Sequence, residues 1–240
     1  PVATWVNEGK GSDKQKHGIS KEGMITFAYH KLRCAVAVSL EVDTMAMSAF
    51  ESLLINNIVE AMTKALEQSI ISGTGSGQPS GIIKETPAKD QAITTKSATE
   101  LSYADLIAVE AALPQGYENG AECCMSKATF MFFIGMTDAN GQPNARVNYG
   151  IGGKPERTLL GRSVECCDYI GSFAAAAAGD VVAFVFRFKD YVLNTNYAMG
   201  VKKYEDNDTD DQVTKGIMLA DGKVVDKNSL VTLEKKAKAV

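Results

Sequence analysis

Apolar and polar residues alternate without a break from Leu32 to Val42. Leu32, Cys34, Val36, Val38, Leu40 and Val42 occupy one face; Lys31, Arg33, Ala35, Ala37, Ser39 and Glu41 occupy the other. A period of two over that length predicts a half-buried strand. Ile25, Phe27 and Tyr29 fall on the opposite parity, which predicts a bulge or a change of packing partner near His30. Fully extended, Met24 to Val42 would span ~60 Å, against a radius of gyration near ~18 Å for a compact globule of this length. The upstream companion, "ATWV", is short, and the connection "NEGKGSDKQKHGISKEG" is polar, glycine-rich and lysine-rich. The pattern predicts a hairpin arm with a solvated tip that projects from the body.

The period then changes. Phe50, Leu54, Ile58, Met62, Leu66 and Ile70 recur every fourth residue, and Leu53, Ile55 and Val59 widen the stripe. This predicts a helix from Ser48 to Ser72, ~37 Å long, with a capping box formed by Ser48 and Glu51. Behind it lies "SIISGTGSGQPSGII", Ser69 to Ile83. A dinucleotide loop follows a strand and opens a helix, and a P-loop ends in G-K-[ST]; this stretch follows a helix and ends in "PSGII". It reads as a helix stop, with Gly73 as a left-handed C-cap and Gly77-Gln78-Pro79 as a turn.

"LSYADLIAVEAAL" predicts a second helix, capped by Ser102 with Asp105, stapled by Leu101 and Leu106, and ended at Pro114-Gln115-Gly116. "AECCM" predicts a strand, and a short helix begins at Ser126. "TDANGQPNARVNYGIGGKPERT" reads as a long loop. "SVECCDYI", "VVAFVFRF", "YVLNTN" and "MGVKKYE" predict strands, and the run Ala174 to Ala178 a small helix or packed loop. "EDNDTDDQ" reads as an acidic surface turn and "SLVTLEKK" as a last strand or edge segment. The class is α+β.

Composition narrows the chemistry. The 240 residues suffice for one large domain or two small ones, with 45% hydrophobic and 22% charged residues. A net charge of -4 argues against avid nonspecific nucleic-acid binding. No apolar run approaches the ~20 residues of a membrane span, and no secretory signal pattern is evident. The chain begins at Pro1, so a preceding segment is expected. The five cysteines include two adjacent pairs, Cys123-Cys124 and Cys166-Cys167, a poor disulfide framework that suggests a reducing compartment. A four-thiolate zinc site lacks C-x-x-C spacing, and neighbours on a strand point to opposite faces, so buried strand cysteines are expected. His17 and His30 lie at no metal or nucleophile spacing. Asp206, Asp208 and Asp210 begin like a calcium loop, but its glycine and closing glutamate are missing. Trp5, Phe184, Phe186 and Phe188 fit core or interface positions. No catalytic residue, cofactor or metal is expected. A small nucleotide- or metal-dependent enzyme stands as the rival class.

The order "TWVNEGK", lysine-rich arm, alternating strand, long helix and "ISGTGSGQPSGII" resembles the major capsid proteins of tailed bacteriophages with the Hong Kong 97 fold. In that family a W-x-x-E-G-like segment enters an extended loop, and the spine helix ends in an N-G-x-G-x-x-x-P-x-G-I-type turn, matched here by Ser72 to Gly75 and Gln78 to Ile82. "MSKATFMFFIGMTDANGQP" is similar to the family's N-P-x-T…L-K-D-x-x-G segment, with Ser126-Lys127 in place of Asn-Pro. "TLLGRSVECCDYI" is similar to its L-L-G-x-P-V strand, with Ser163 in place of proline.

The resemblance implies an extended loop at residues 1–42 and a peripheral domain at 43–116 and 199–240, with a spine helix at about 48–72. An axial domain follows at 117–198, its 138–153 loop near the capsomer axis. It implies a structural subunit that assembles into pentamers and hexamers of an icosahedral head shell around double-stranded DNA. Portal, scaffold or decoration proteins are its possible partners, and no membrane is involved. The shell is expected to assemble in the bacterial host cytoplasm and to end as the virion capsid. An encapsulin-like nanocompartment is the alternative within the same fold. The expected subunit-interface residues are Trp5, Glu8, Lys10, Asp13, Lys14, Lys16, Lys21 and Glu22 on the arm, with Asp138, Asn140 and Gln142 in the axial loop.

Overall fold

The computed structural model describes residues 25–38, 48–136, 147–148, 156–206, 209 and 211–237. All eleven expected interface residues lie outside that set, as do "ATWV" and His17.

Strand β1 (His30–Val38) realises the alternation as far as Val38, with its Leu32 face half-buried and its Lys31 face exposed; Ser39 to Val42 lie outside the described residues. Ile25 to Tyr29 precede it outside the ladder, consistent with the parity change at His30. Its partner is β9 (Asp211–Val224), antiparallel, with His30 opposite Ala220 and Val38 opposite Gln212. β9 also pairs with β8 (Tyr191–Asp206), which completes a three-stranded sheet in the order β1-β9-β8. β8 joins the two expected strands "YVLNTN" and "MGVKKYE" into one, with register shifts between Thr195 and Gly200. β9 itself was not expected from the sequence.

Helix α1 (Ser48–Ser72) lies on this sheet. Ile58 and Met62 are fully buried against Met218 and Ala220, with Leu32, Cys34, Val36, Leu54, Leu66 and Met199 packed around them. Ser48 is the first helical residue, and Glu51 pairs with Lys203 of β8 at 2.7 Å. The apolar stripe is narrower than its pattern suggested: Leu53 and Val59 point to solvent.

The remaining strands form a seven-stranded sheet in the order β2 (Ala92–Thr94), β10 (Val231–Glu234), β7 (Val181–Phe186), β3 (Glu122–Met125), β6 (Arg162–Cys166), β5 (Glu156–Leu159), β4 (Val147–Asn148). Its pairs are antiparallel except β10–β2 and β3–β6. On one face α2 (Tyr103–Ala112) and α3 (Lys127–Ile134) contribute Leu106, Val109, Phe130 and Phe133 to a core with Cys123, Val185, Val231 and Leu233. The other face carries Cys124, Phe184 and Phe186, which meet Ile71 at the end of α1, Ile82 and Val224. That second cluster joins the two sheets. Strand pairing groups β2 and β10 with the sheet of 122–186, and α2 packs on β10 and β2.

The α2 start matches its sequence signature. The Asp105 carboxylate, buried, accepts from the N–H of Ser102 at 2.8 Å, the Ser102 hydroxyl at 2.8 Å and the N–H of Lys96 at 2.9 Å. Ser126 caps α3, its hydroxyl accepting from the Thr129 N–H. Ala174 to Ala178 form an exposed turn in which only Ala176 packs against the core, anchored by Ala175 and Ala176 N–H bonds to the Ser172 carbonyl.

Candidate functional site

The glycine loop after α1 works as a strap. Gly73 N–H continues the helix onto Ser69 O at 2.9 Å, Gly81 N–H returns to Gly73 O at 2.9 Å, and Ser80 N–H reaches Gly222 O of β9 at 2.9 Å. The Tyr191 hydroxyl donates to Ser80 O at 3.0 Å. Gly73 is not the left-handed cap that was expected: the positive φ angles belong to Gly75 and Gly77. Glycine is required at 73 by space, since a Cβ there would sit 2.2 Å from Pro79 O and 2.4 Å from Ser69 O. The strap fixes α1 to the β8–β9 pair. Beside it a cavity of about 250 Å³ is lined by His30, Lys31, Gln68, Ser72 and Gln78 among others.

The sheet under α1 is equally tight. A Cβ on Gly216 would lie 2.4 Å from Met62 Sδ and 2.9 Å from Ile58 Cγ2. His30 Nε2 stands 3.9 Å from Asp221 Oδ1, and that buried carboxylate accepts the N–H groups of Ala28 (2.7 Å) and Gly222 (2.8 Å). These contacts make His30 and Asp221 a structural pair that holds the entry to β1.

Among the described residues no helix covers the opposite face of the three-stranded sheet. By register and alternation it presents Lys31 and Arg33 of β1, Lys215, Ile217 and Leu219 of β9, and Lys202 and Tyr204 of β8. Lys215 Nζ sits 4.6 Å from the Tyr204 ring centroid. Met131 and Phe132 on α3 are a second exposed apolar pair, each 45% exposed. Lone exposed apolar residues are normal, but adjacent ones on ordered elements offer contact area to another protein. Sequence reasoning missed Lys215, Ile217 and Leu219 because it missed β9, although the alternation Val213, Lys215, Ile217, Leu219 was present in the sequence.

Charged groups elsewhere brace the fold. Arg162 makes a bidentate pair with Glu110, with Nε to Oε2 at 3.0 Å, and donates to the Glu118 and Ala121 carbonyls. The Glu110 hydrogen bonds hold the Arg162 guanidinium above its ordinary pKa. Arg187 pairs with Asp190 and stacks 5.1 Å from the Tyr117 ring. The Tyr117 hydroxyl donates to Asp226 at 2.6 Å, which pushes its pKa up.

The cysteine pairs split across the seven-stranded sheet. Cys123 and Cys166 face the α2–α3 core; Cys124 and Cys167 face the cluster that joins the sheets. Among the described residues no group of three or more His, Cys, Asp or Glu side chains gathers as a metal site. Asp206 and Asp211 sit opposite each other at the end of the β8–β9 ladder, while Asp208 and Asp210 fall outside the described residues. Among the described residues no helix is long and apolar enough to cross a membrane.

The comparisons agree with this architecture. A family model described as "Phage capsid family" matches residues 1–235. No match is found among the curated proteins. The capsid of an empty GTA particle superposes with a TM-score of 0.81 at 19% identity, covering 98% of this chain and 81% of that one. A chain of Gordonia phage Cozz gives 0.68 at 14%, covering 99% and 79%. The SrpI encapsulin of Synechococcus elongatus gives 0.66 at 13%, covering 87% and 74%. At such identities the likeness is one of fold.

Proposed function

The chain belongs to the phage capsid family as a shell-forming major capsid protein, and from that premise we propose that its copies close into an icosahedral head around double-stranded DNA. It is a structural subunit, self-associating, and its place is the virion capsid. The family match across 235 of 240 residues is the observation that carries the reading.

Within the proposal, residues 1–42 are the extended loop, residues 43–116 and 199–240 with the spine helix α1 are the peripheral domain, and residues 117–198 are the axial domain. The 138–153 loop points to the capsomer axis, bringing Asp138, Asn140 and Gln142 to its neighbours. The arm, with Trp5, Glu8, Lys10, Asp13, Lys14, Lys16, Lys21 and Glu22, lies across the adjacent subunit. Mixed charges of this kind set register and salt sensitivity more than affinity. Each contact needs only modest strength, because several per subunit act together over a closed surface. A net charge of -4 suits a container that must not grip its DNA during packing. Assembly takes place in the bacterial cytoplasm, and portal, scaffold or decoration proteins are the partners to seek.

The encapsulin reading is separated by contents. Particles purified from the natural source are expected to hold nuclease-protected double-stranded DNA. Particles that hold an enzyme and no DNA overturn the head-shell reading in favour of a nanocompartment.

A further inference from the structure

The parallel pair β3–β6 places Cys124 opposite Glu165, and the chain continues alongside, with the Cys167 N–H bonded to Met125 O at 3.1 Å. Alternation therefore brings the Cys124 and Cys167 side chains to the same face of the sheet, two residues apart along the ladder. Their sulfurs meet at 3.6 Å, the Cys124 thiol donating to Cys167 Sγ. Cys124 is buried, while Cys167 remains partly open to solvent. Cys123 and Cys166 lie across the sheet in the other core, and Cys34 belongs to the cluster under α1. We propose that Cys124 and Cys167 are a built pair of thiols that closes into a reversible intrachain disulfide when the protein meets an oxidising medium, stapling β3 to the turn after β6.

Closing the bond requires the sulfurs to approach from 3.6 Å to about 2.05 Å, within reach of small side-chain and backbone adjustments. The thiols differ in the way an exchange reaction needs. The hydrogen bond from Cys124, with those from the backbone at Tyr169 and Ile170, lowers the Cys167 thiol to about 7. The same bond, together with burial, pushes Cys124 up, so Cys124 keeps its proton while Cys167 gives one away. With a small-molecule disulfide RSSR as oxidant, the Cys167 thiolate attacks one sulfur and expels RS⁻, leaving Cys167–S–S–R. The Cys124 thiol passes its proton to a departing thiolate through solvent and attacks Cys167 Sγ, expelling the second RS⁻. In sum, two protein thiols and one RSSR give one protein disulfide and two RSH; the protein loses two electrons and the oxidant gains them. A shell built under reducing conditions thereby gains a covalent tie on release, without a change of fold. The tie spans 43 positions, enough to restrict the unfolded chain substantially.

The test uses the full chain, oxidised with excess glutathione disulfide and then alkylated under denaturation with iodoacetamide. Intact mass is expected to show three alkylated cysteines rather than five, and a non-reducing digest to join the peptides carrying 124 and 167. Dithiothreitol restores all five. The oxidised protein should melt roughly 5–10 °C higher than the reduced one, a difference absent from Cys167→Ser and retained by Cys123→Ala. Native-state alkylation of Cys167 should reach half its maximal rate near pH 7, its thiolate form dominating above that pH. Five alkylated cysteines after oxidation, a lasting single glutathione adduct, a bond between other cysteines, or a covalent dimer on a non-reducing gel would each overturn the proposal.

Discussion

Gly81→Ala is expected to destabilise the native fold severely, because the added methyl group meets only backbone atoms. A Cβ at 81 would lie 2.4 Å from Gly73 N, 2.7 Å from Ile71 O and 2.8 Å from the Ser72 carbonyl carbon. All three are backbone atoms, so no side chain can rotate away. The conformation itself is ordinary, φ -78° and ψ 151°, which isolates space as the cause. Relief would have to break the Gly81–Gly73 hydrogen bond and lift the end of α1, with Ile71, out of the cluster that joins the two sheets. Overpacking with side-chain relief costs about 1–3 kcal/mol; without it about 4 kcal/mol or more is expected, a large part of a domain's stability. The comparison variant is Gly77→Ala, where φ is +70° but a Cβ meets nothing within 4 Å. Strain alone should cost it about 1–2 kcal/mol. Thermal unfolding followed by circular dichroism measures both. A Gly81→Ala protein that melts as high as Gly77→Ala would refute the strap.

Deleting residues 9–22 is expected to give the opposite combination, a folded body that no longer forms shells. Among the described residues the three core clusters draw on Leu32 and later positions, so the deletion removes no member of them. The lost stretch is polar and lysine-rich, suited to lie on a neighbour rather than in a core. If the arm contributes even about 2 kcal/mol per subunit contact, its loss weakens that contact ~30-fold, and the effect multiplies around a closed surface. Size-exclusion chromatography and the melting curve read the two halves separately. Normal shells from the deletion variant would remove the arm from the mechanism. A deletion variant that no longer folds would show that the segment belongs to the body.

Local pattern made much of this fold legible, and pairing between distant segments made the rest invisible. The β1 alternation, the α1 stripe, and the starts at Ser102 and Ser126 are properties of short windows, and the structure follows them. β9 escaped because Gly216, Ala220 and Gly222 dilute its hydrophobic signal. Those small residues are what let Met62, Ile58 and Tyr191 approach the strand. β8 read as two strands because its bulges fall between Thr195 and Gly200. The division between sheets depended on β10 returning to β7, which no window contains. For the cysteines, opposite faces within each adjacent pair followed from strand geometry alone. That Cys124 would meet Cys167 required the parallel β3–β6 register. The interface expected on the arm and axial loop lies outside the described residues, and its assignment rests on sequence and family.

The most direct test is negative-stain electron microscopy of the purified protein, expressed from its complete reading frame. Closed hollow shells of uniform size are expected, with arm and sheet faces buried between copies. A field of small solitary particles, unchanged across concentration and salt and matched by a monomer mass in solution, would contradict it.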